Sequence, residues 1–149
     1  MATLTVTIKE EIELYGEPRG GITTKTISNV TKTYKSIIDV PVHGTETIIY
    51  KILSGRSGAG LEDVGNTKYI RVTNVDSSEV VELKIKTSGT DYHLVELGVD
   101  ESFVMFNDND FVEESSFTNS IWSYENIETI EAYGKTASAK VEIFTASID

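Results

Sequence analysis

The central part of the chain alternates short apolar runs with short polar breaks. Between residues 68 and 106, four runs rich in β-branched and aromatic residues follow one another, at 69–73, 80–86, 92–97 and 102–106. The breaks carry Gly, Asn, Asp and Ser, which tolerate the backbone angles of tight turns. The pattern predicts four β-strands joined as a meander, with no catalytic group among them.

The N-terminal segment shows a period-two pattern. Apolar side chains at positions 4, 6, 8, 12 and 14 alternate with Thr, Lys and Glu, which predicts a long strand with one face in water. Glu10 interrupts the apolar series and indicates a bulge or an edge position. Residues 16–21 are predicted to form a loop. The segment 1–21 is therefore predicted to be an extended N-terminal strand, or an arm that leaves the domain to pair with a neighbour.

Three further patterns complete the predicted fold. Residues 22–30 and 32–40 are two extended stretches with a break near Ser28 and Asn29, and residues 46–53 are apolar on both faces, as in a central strand. Residues 127–133 and 136–147 predict a closing hairpin. No helical periodicity is visible. The sequence predicts a single all-β domain over residues 1–149, an antiparallel β-sandwich or jelly-roll-like fold of about nine or ten strands with little or no helix.

Composition limits the partners. The chain of 149 residues has a formal net charge of −11, a field that repels phosphate groups, so no nucleic-acid partner is expected. It contains no cysteine, which excludes disulfides and thiolate metal sites. The N-terminus has no basic region followed by an apolar run, and no apolar stretch approaches the roughly 20 residues of a membrane helix. We expect a soluble protein made in a cytoplasm, with no membrane partner.

Candidate chemical groups are few. The glycine-rich segment 55–60 lacks the Lys-Ser/Thr pair and the helix of a phosphate loop. Asp108 and Asp110 are a weak candidate for a cation site, because the alternation of oxygen ligands is short and no glycine supplies the turn. His43 and His93 are isolated in sequence and belong to no Ser-His-Asp set or metal pair. We therefore expect no enzymatic activity, no cofactor and no metal.

The acidic segment 107–126 carries the most distinctive aromatic residues. Such residues anchor protein interfaces, stack on sugars, or cover the end of a core. A connection of this length inside a compact domain is usually functional or ordered by a partner. We predict intermolecular contacts at this segment and at the N-terminal strand. The predicted interface residues are Leu4, Val6, Ile8, Phe111, Phe117, Ile121, Trp122 and Tyr124.

Three stretches resemble small virion proteins of tailed bacteriophages: YIRVTNVDSSEVVELKI, YHLVELGVDESFVMF and IETIEAYGKTASAKVEIFTAS, within residues 68–106 and 127–147. The shared motifs are structural: a strand ending in Thr-Asn before a polar turn, a following strand and hairpin, and a closing strand pair. The resemblance implies a homo-oligomeric structural protein of the virion, assembled in the host bacterial cytoplasm. Capsid decoration, as a cement protein bound to the major capsid protein, is the first choice. A neck, head-fibre or tail component, bound to other virion proteins, is the alternative.

Two hypotheses from other functional classes remain. A carbohydrate-binding β-sandwich module would use Phe117, Trp122 and Tyr124 as a platform on which sugars stack. A small β hydrolase would need a pair of clustered carboxylates. An acidic β protein offers many such pairs in sequence, so the pattern does not favour a hydrolase.

Overall fold

A computed structural model describes residues 2–45, 47–51, 67–87, 92–106 and 127–148. These residues form strands and turns and contain no helix. The strands are β1 (Ala2–Lys9), β2 (Glu13–Leu14), β3 (Glu17–Pro18), β4 (Ile22–Val40), β5 (Thr47–Lys51), β6 (Thr67–Asn74), β7 (Val81–Thr87), β8 (Tyr92–Leu97), β9 (Ser102–Phe106), β10 (Ile127–Gly134) and β11 (Ala139–Ile148).

Two sheets make up the body of the domain. One has five strands in the order β1-β4-β11-β6-β9, and the other has four in the order β5-β10-β7-β8. The ladders between these strands are antiparallel. From β4 onwards the chain changes sheet at every connection except that between β7 and β8, which is jelly-roll topology with β1 as an added strand. The predicted all-β antiparallel sandwich is confirmed.

The main core lies between the two sheets. Alternate side chains of each strand point inward, so residues from the two facing layers pack against one another. Its fully buried members include Val72, Val141 and Ile143 from the five-stranded sheet and Val81, Leu83 and Ile130 from the four-stranded sheet. Burial of one such side chain stabilises the fold by about 1.5–3 kcal/mol. This shared layer is what holds the sheets together.

The connectivity differs from the sequence prediction in two places. The four central strands are not a meander. β6 pairs with β9 in one sheet, and the two strands between them in sequence, β7 and β8, pair with each other in the other sheet. The last two strands are not a hairpin, because β10 joins the four-stranded sheet and β11 joins the five-stranded one. Period-two alternation identifies strands but not their partners, and a polar turn can join neighbours in one sheet or cross between sheets.

The prediction of a central strand over residues 46–53 is also wrong. The described part of this segment, β5, lies at an edge of the four-stranded sheet. A register shift between Ile130 and Glu131 of β10 lets the consecutive residues Ile49 and Tyr50 both reach the main core. The Tyr50 hydroxyl lies 3.0 Å from the Thr67 hydroxyl across the sandwich. A bulge therefore accounts for the two-sided apolar pattern that suggests a central position.

One buried amide fixes the corner where the chain crosses from β6 to β7. The Asn74 side chain is fully buried, and its Nδ2 donates to the carbonyl oxygens of Glu79, at 2.8 Å, and Leu97, at 3.0 Å. Its Oδ1 accepts from the Asp76 amide at 2.9 Å. A buried polar side chain is stable only when its hydrogen bonds are made. Asn74 therefore holds the turn and the end of β8 in one arrangement.

The same corner joins two crossover connections, the one between β6 and β7 and the one between β10 and β11. The Glu79 carboxylate accepts from the Thr136 amide at 2.5 Å and from the Thr136 hydroxyl at 2.9 Å. The Lys135 amide donates to the Val80 carbonyl at 2.9 Å. These bonds link the β6–β7 connection to the β10–β11 connection, so the two sheets are held together at this end of the sandwich.

Removal of core volume between the sheets is expected to destabilise the whole domain. Leu83 has none of its surface exposed, whereas Leu94 on the neighbouring strand is 51% exposed. Leu83→Ala should lower the free energy of unfolding by about 2–5 kcal/mol through lost burial and a residual cavity. Leu94→Ala should change it by less than about 0.5 kcal/mol. Urea unfolding followed by circular dichroism measures both, and equal effects would contradict the placement of the core.

Acid is expected to destabilise the corner. Hydrogen bonds from the Ser78 and Glu79 amides lower the pKa of the Asp76 carboxyl, and the Thr136 amide lowers that of Glu79. Because the folded pKa lies below the unfolded one, this stabilisation is present above the unfolded pKa, near pH 4, and is lost as the pH falls through the folded pKa. Asp76→Asn should reduce the dependence of the urea midpoint on pH below about pH 4. Glu128→Gln, at an exposed strand position, is the control, and an unchanged dependence in Asp76→Asn would contradict the assignment.

Candidate protein interface

The strand β4 belongs partly to the sandwich and partly to a projecting ribbon. From residue 30 to residue 40 it pairs with β11, and from residue 22 to residue 30 it pairs with β1. Asn29 has a positive φ of 61°, and the register shifts on both sides of Val30. The irregularity lies where the sequence predicts a break, but the strand continues through it. We call residues 2–30 the arm.

The base of the arm is anchored by a second apolar cluster. Ile27 and Val30 are buried in it, and Leu4 and Val6 pack against them. Strand alternation places this cluster on the face of the five-stranded sheet opposite the main core. Its members from the rest of the sheet are Tyr69, Val104, Phe144, Ala146 and Ile148. The arm therefore leaves the sandwich from a fixed base.

Aromatic packing strengthens this second cluster. The Tyr69 ring lies 5.2 Å from the ring of Phe106 and 5.9 Å from that of Phe144, measured between centroids. Burial raises the pKa of the Tyr69 hydroxyl, and the nearby charge of Arg71 partly opposes that rise. Tilted and edge-to-face rings at these distances stabilise a cluster beyond the area they bury.

Backbone hydrogen bonds join the two chains of the arm as far as its tip. Glu10 and Gly21 exchange backbone hydrogen bonds of 2.8 and 3.1 Å, and the Arg19 amide donates to the Ile12 carbonyl at 2.9 Å. A side chain at Gly20 would meet the Glu10 carbonyl oxygen at 1.9 Å, so the close approach of the two chains requires glycine there. The arm is thus a continuous two-stranded ribbon.

The tip turn presents a tyrosine to solvent. Tyr15 and Gly16 both have positive φ, 55° and 78°, as a tight two-residue hairpin turn between β2 and β3 requires. A bulky residue with positive φ is uncommon. The Tyr15 side chain is 95% exposed. The turn therefore holds an aromatic ring at the outermost point of the arm.

Other large apolar side chains of the arm are exposed as well. They are Ile8, Ile12, Leu14 and Ile22. Ile12, Ile22 and Pro18 line an open cleft together with the backbone near Gly20 and Gly21. Four glutamates and two basic residues surround them in sequence: Lys9, Glu10, Glu11, Glu13, Glu17 and Arg19. An apolar surface with an acidic border is typical of a site that binds another protein.

The structure places three of the predicted interface residues on the arm. Leu4 and Val6 are half-buried against the second cluster, and Ile8 is exposed beyond it. The others lie outside the described residues, as do the aspartates of the weak cation candidate, and they stay predictions. Those residues are Phe111, Phe117, Ile121, Trp122, Tyr124, Asp108 and Asp110.

Sequence reasoning missed the side chain at the tip. Tyr15 precedes a glycine between two short polar stretches, and the segment 16–21 is predicted only as a loop. The available signal is the Tyr-Gly pair flanked by Leu14 and Glu17, since glycine favours the positive φ of a hairpin turn. The exposure of the ring follows only once the arm is seen to leave the sandwich.

The two histidines occupy separate places. The His43 ring lies edge-on to Tyr133, 4.8 Å between centroids, and its Nδ1 is 3.8 Å from a carboxylate oxygen of Glu82. His93 is exposed on β8 opposite Ile85. Within the described ranges, no group of three or more metal-ligating side chains is placed to hold an ion. The described residues also contain no helix that could span a membrane.

Comparison with known proteins identifies no family for this chain. No protein-family model matches the chain, and no curated protein matches it. The chain is similar to a solved structure described as "Bacillus endospore appendages form a novel family of disulfide-linked pili", with 15% identity, a TM-score of 0.41, and coverage of 83% of this chain and 96% of that chain. The present sequence contains no cysteine with which to form a disulfide.

Loss of apolar volume at the base is expected to loosen the arm while leaving the sandwich folded. Ile27→Ala removes a buried side chain of the second cluster but touches none of the main core. Amide hydrogen exchange of β1 should accelerate at least tenfold, because local opening of the arm becomes easier by more than about 1.4 kcal/mol. Exchange in β7 should stay as in the wild type. Equal acceleration in β1 and β7 would show that the arm and the sandwich unfold as one unit.

Proposed function

We propose that this protein is a non-enzymatic structural component of a tailed-bacteriophage virion and that the arm binds it to a neighbouring protein. The observation that carries the proposal is the exposed apolar tip of a hydrogen-bonded ribbon that extends beyond the sandwich. The resemblance of residues 68–106 and 127–147 to small virion proteins supports the choice of assembly.

The arm is built for binding rather than for stability of the free chain. A two-stranded ribbon without a covering layer is marginally stable in water. Side chains such as Ile12, Leu14 and Tyr15 contribute little to the fold while they are hydrated. Each would contribute about 1.5–3 kcal/mol once buried in a partner. Because the second cluster already orders the base, binding has less chain entropy to overcome.

The tip predicts the chemistry of its partner. The apolar residues of the tip need an apolar groove, and the surrounding glutamates favour a groove with a basic rim. In the proposed role that groove lies on the major capsid protein, and the protein decorates and stabilises the head. A neck, head-fibre or tail position is the alternative, in which the same arm would bind another virion protein. The copy number per particle separates these placements, since decoration follows the number of capsomers.

Removal of the tip ring should weaken binding to capsids. Tyr15→Ala is expected to lower the affinity for particles assembled from the major capsid protein by about 30-fold, the usual effect of an aromatic residue at the centre of an interface. Tyr92→Ala, at another exposed tyrosine on β8, is the matched control and should bind as the wild type does. Co-sedimentation with particles that lack the protein measures both. Unchanged binding of Tyr15→Ala would exclude the tip as the contact, and failure of the wild type to bind would exclude decoration.

A further inference from the structure

The second half of β4 has an open edge. Ala2 of β1 and Ile148 of β11 both pair with Val30, so β1 and β11 lie on opposite sides of β4. Beyond Val30, β11 continues along one side as far as Val40. Within the described part of the chain, no strand pairs with residues 33–40 on the other side. The backbone N–H and C=O groups of such an edge can pair with a strand of another molecule.

This edge lacks two of the features that prevent strands from pairing, a β-bulge and a proline within the strand. The ladder with β11 is regular from Lys32 to Val40, so no bulge twists the edge away. Proline appears only at Pro41, after the strand has ended. Tyr34 and Ile37 are exposed apolar side chains, and Ile37 is 61% exposed. Long, regular and apolar edges are the ones that add a strand from another molecule.

The charges along the edge are self-complementary. Lys35, Ile37 and Asp39 share the face opposite the main core, because side chains alternate along a strand. The Lys35 ammonium lies 3.1 Å from a Glu142 carboxylate oxygen, and this ion pair is among the causes that lower the pKa of Glu142. Asp39 is largely exposed, and one of its carboxylate oxygens lies 4.0 Å from the Lys140 ammonium. A basic and an acidic residue therefore flank an exposed isoleucine symmetrically.

We propose that this edge pairs antiparallel with the same edge of a second copy of the chain. A two-fold axis passes between the two strands at Ile37, which lies opposite Ile37 of the second copy. Lys35 then lies opposite Asp39 in both directions. The two five-stranded sheets would join into one continuous sheet. The pairing uses a surface separate from the arm and does not rest on the proposed virion role.

Neighbouring registers satisfy these charges less well. In a two-fold antiparallel pair, side chains that face each other must lie on the same face, so the register changes in whole two-residue steps. One step towards the N-terminus of β4 leaves Lys35 opposite Ile37 of the second copy. A second step in that direction places Lys35 opposite Lys35 of the second copy, and like charges that face each other are destabilising. A step the other way sets Ile37 against Asp39. The proposed register also ends the pairing before Pro41, which lacks an amide to donate.

A cysteine introduced at the axis tests the register directly, because the chain has no cysteine of its own. Facing residues in an antiparallel pair have Cα atoms about 4.5–5.5 Å apart, within reach of a disulfide. Ile37→Cys should form a disulfide-linked dimer under mild oxidation. Thr33→Cys, exposed on the same face of the same edge, should not, since its counterpart lies several residues away.

Charge reversal gives a second test that does not depend on oxidation. Lys35→Asp and Asp39→Lys should each weaken dimerisation by roughly tenfold, because two attractive pairs become repulsive. The double variant should restore it, which loss of folding would not do. Sedimentation equilibrium measures the dissociation constants. Tyr15→Ala should dimerise as the wild type does, so failure of the arm proposal would leave this result unchanged.

Three outcomes would overturn the proposal. The first is a wild-type chain that stays monomeric at all concentrations reached. The second is equal cross-linking of Ile37→Cys and Thr33→Cys, which would indicate random collision. The third is cross-linking of Ile37→Cys only to a chain that carries Leu94→Cys on the exposed edge strand β8, which would indicate head-to-tail pairing.

Discussion

Among the described residues, a single strand, β4, connects the arm to the open edge. β4 is hydrogen-bonded to β11 over its second half and to β1 over its first half, with a change of partner at Val30. The direction of the arm is therefore set by the sandwich, and the open edge lies on the other side of Val30 from the arm. If β4 began at Val30, the domain would keep its main core and lose the arm.

The two apolar clusters have different roles, one in folding the sandwich and the other in positioning the arm. The main core holds the two sheets together and determines whether the domain folds at all. The second cluster lies on the other face of the five-stranded sheet and fixes the base of the arm. Beyond Val6 and Ile27 no cluster covers the ribbon among the described residues, and the apolar side chains from Ile8 outward meet solvent. The boundary between covered and uncovered positions marks where the proposed interface begins.

The sequence predicts the strands better than their neighbours. The strands at 92–97 and 102–106 have the predicted bounds, and the all-β sandwich follows from the spacing of the turns. The partners of these strands could not be predicted, because a period of two shows which side chains share a face and says nothing of the strand beside them. The buried role of Asn74 is likewise hidden, since an asparagine before a polar turn is expected whether its amide is buried or hydrated.

The candidate interface could be predicted in outline only. Alternation from Leu4 to Leu14 shows one apolar face, but Leu4 is covered by the second cluster while Leu14 is exposed. Nothing in the alternation itself distinguishes the two positions. The difference arises from the point at which β4 leaves β11, which depends on pairing between residues far apart in sequence.

Photo-cross-linking from the tip of the arm tests the central claim most directly. A photoreactive residue would replace Tyr15 in particles that contain the protein, with the same replacement at Tyr92 as the reference. We predict cross-links from position 15 to a neighbouring protein, and few or none from position 92. Cross-links from position 92 alone, or an arm that yields none in the assembled particle, would contradict it.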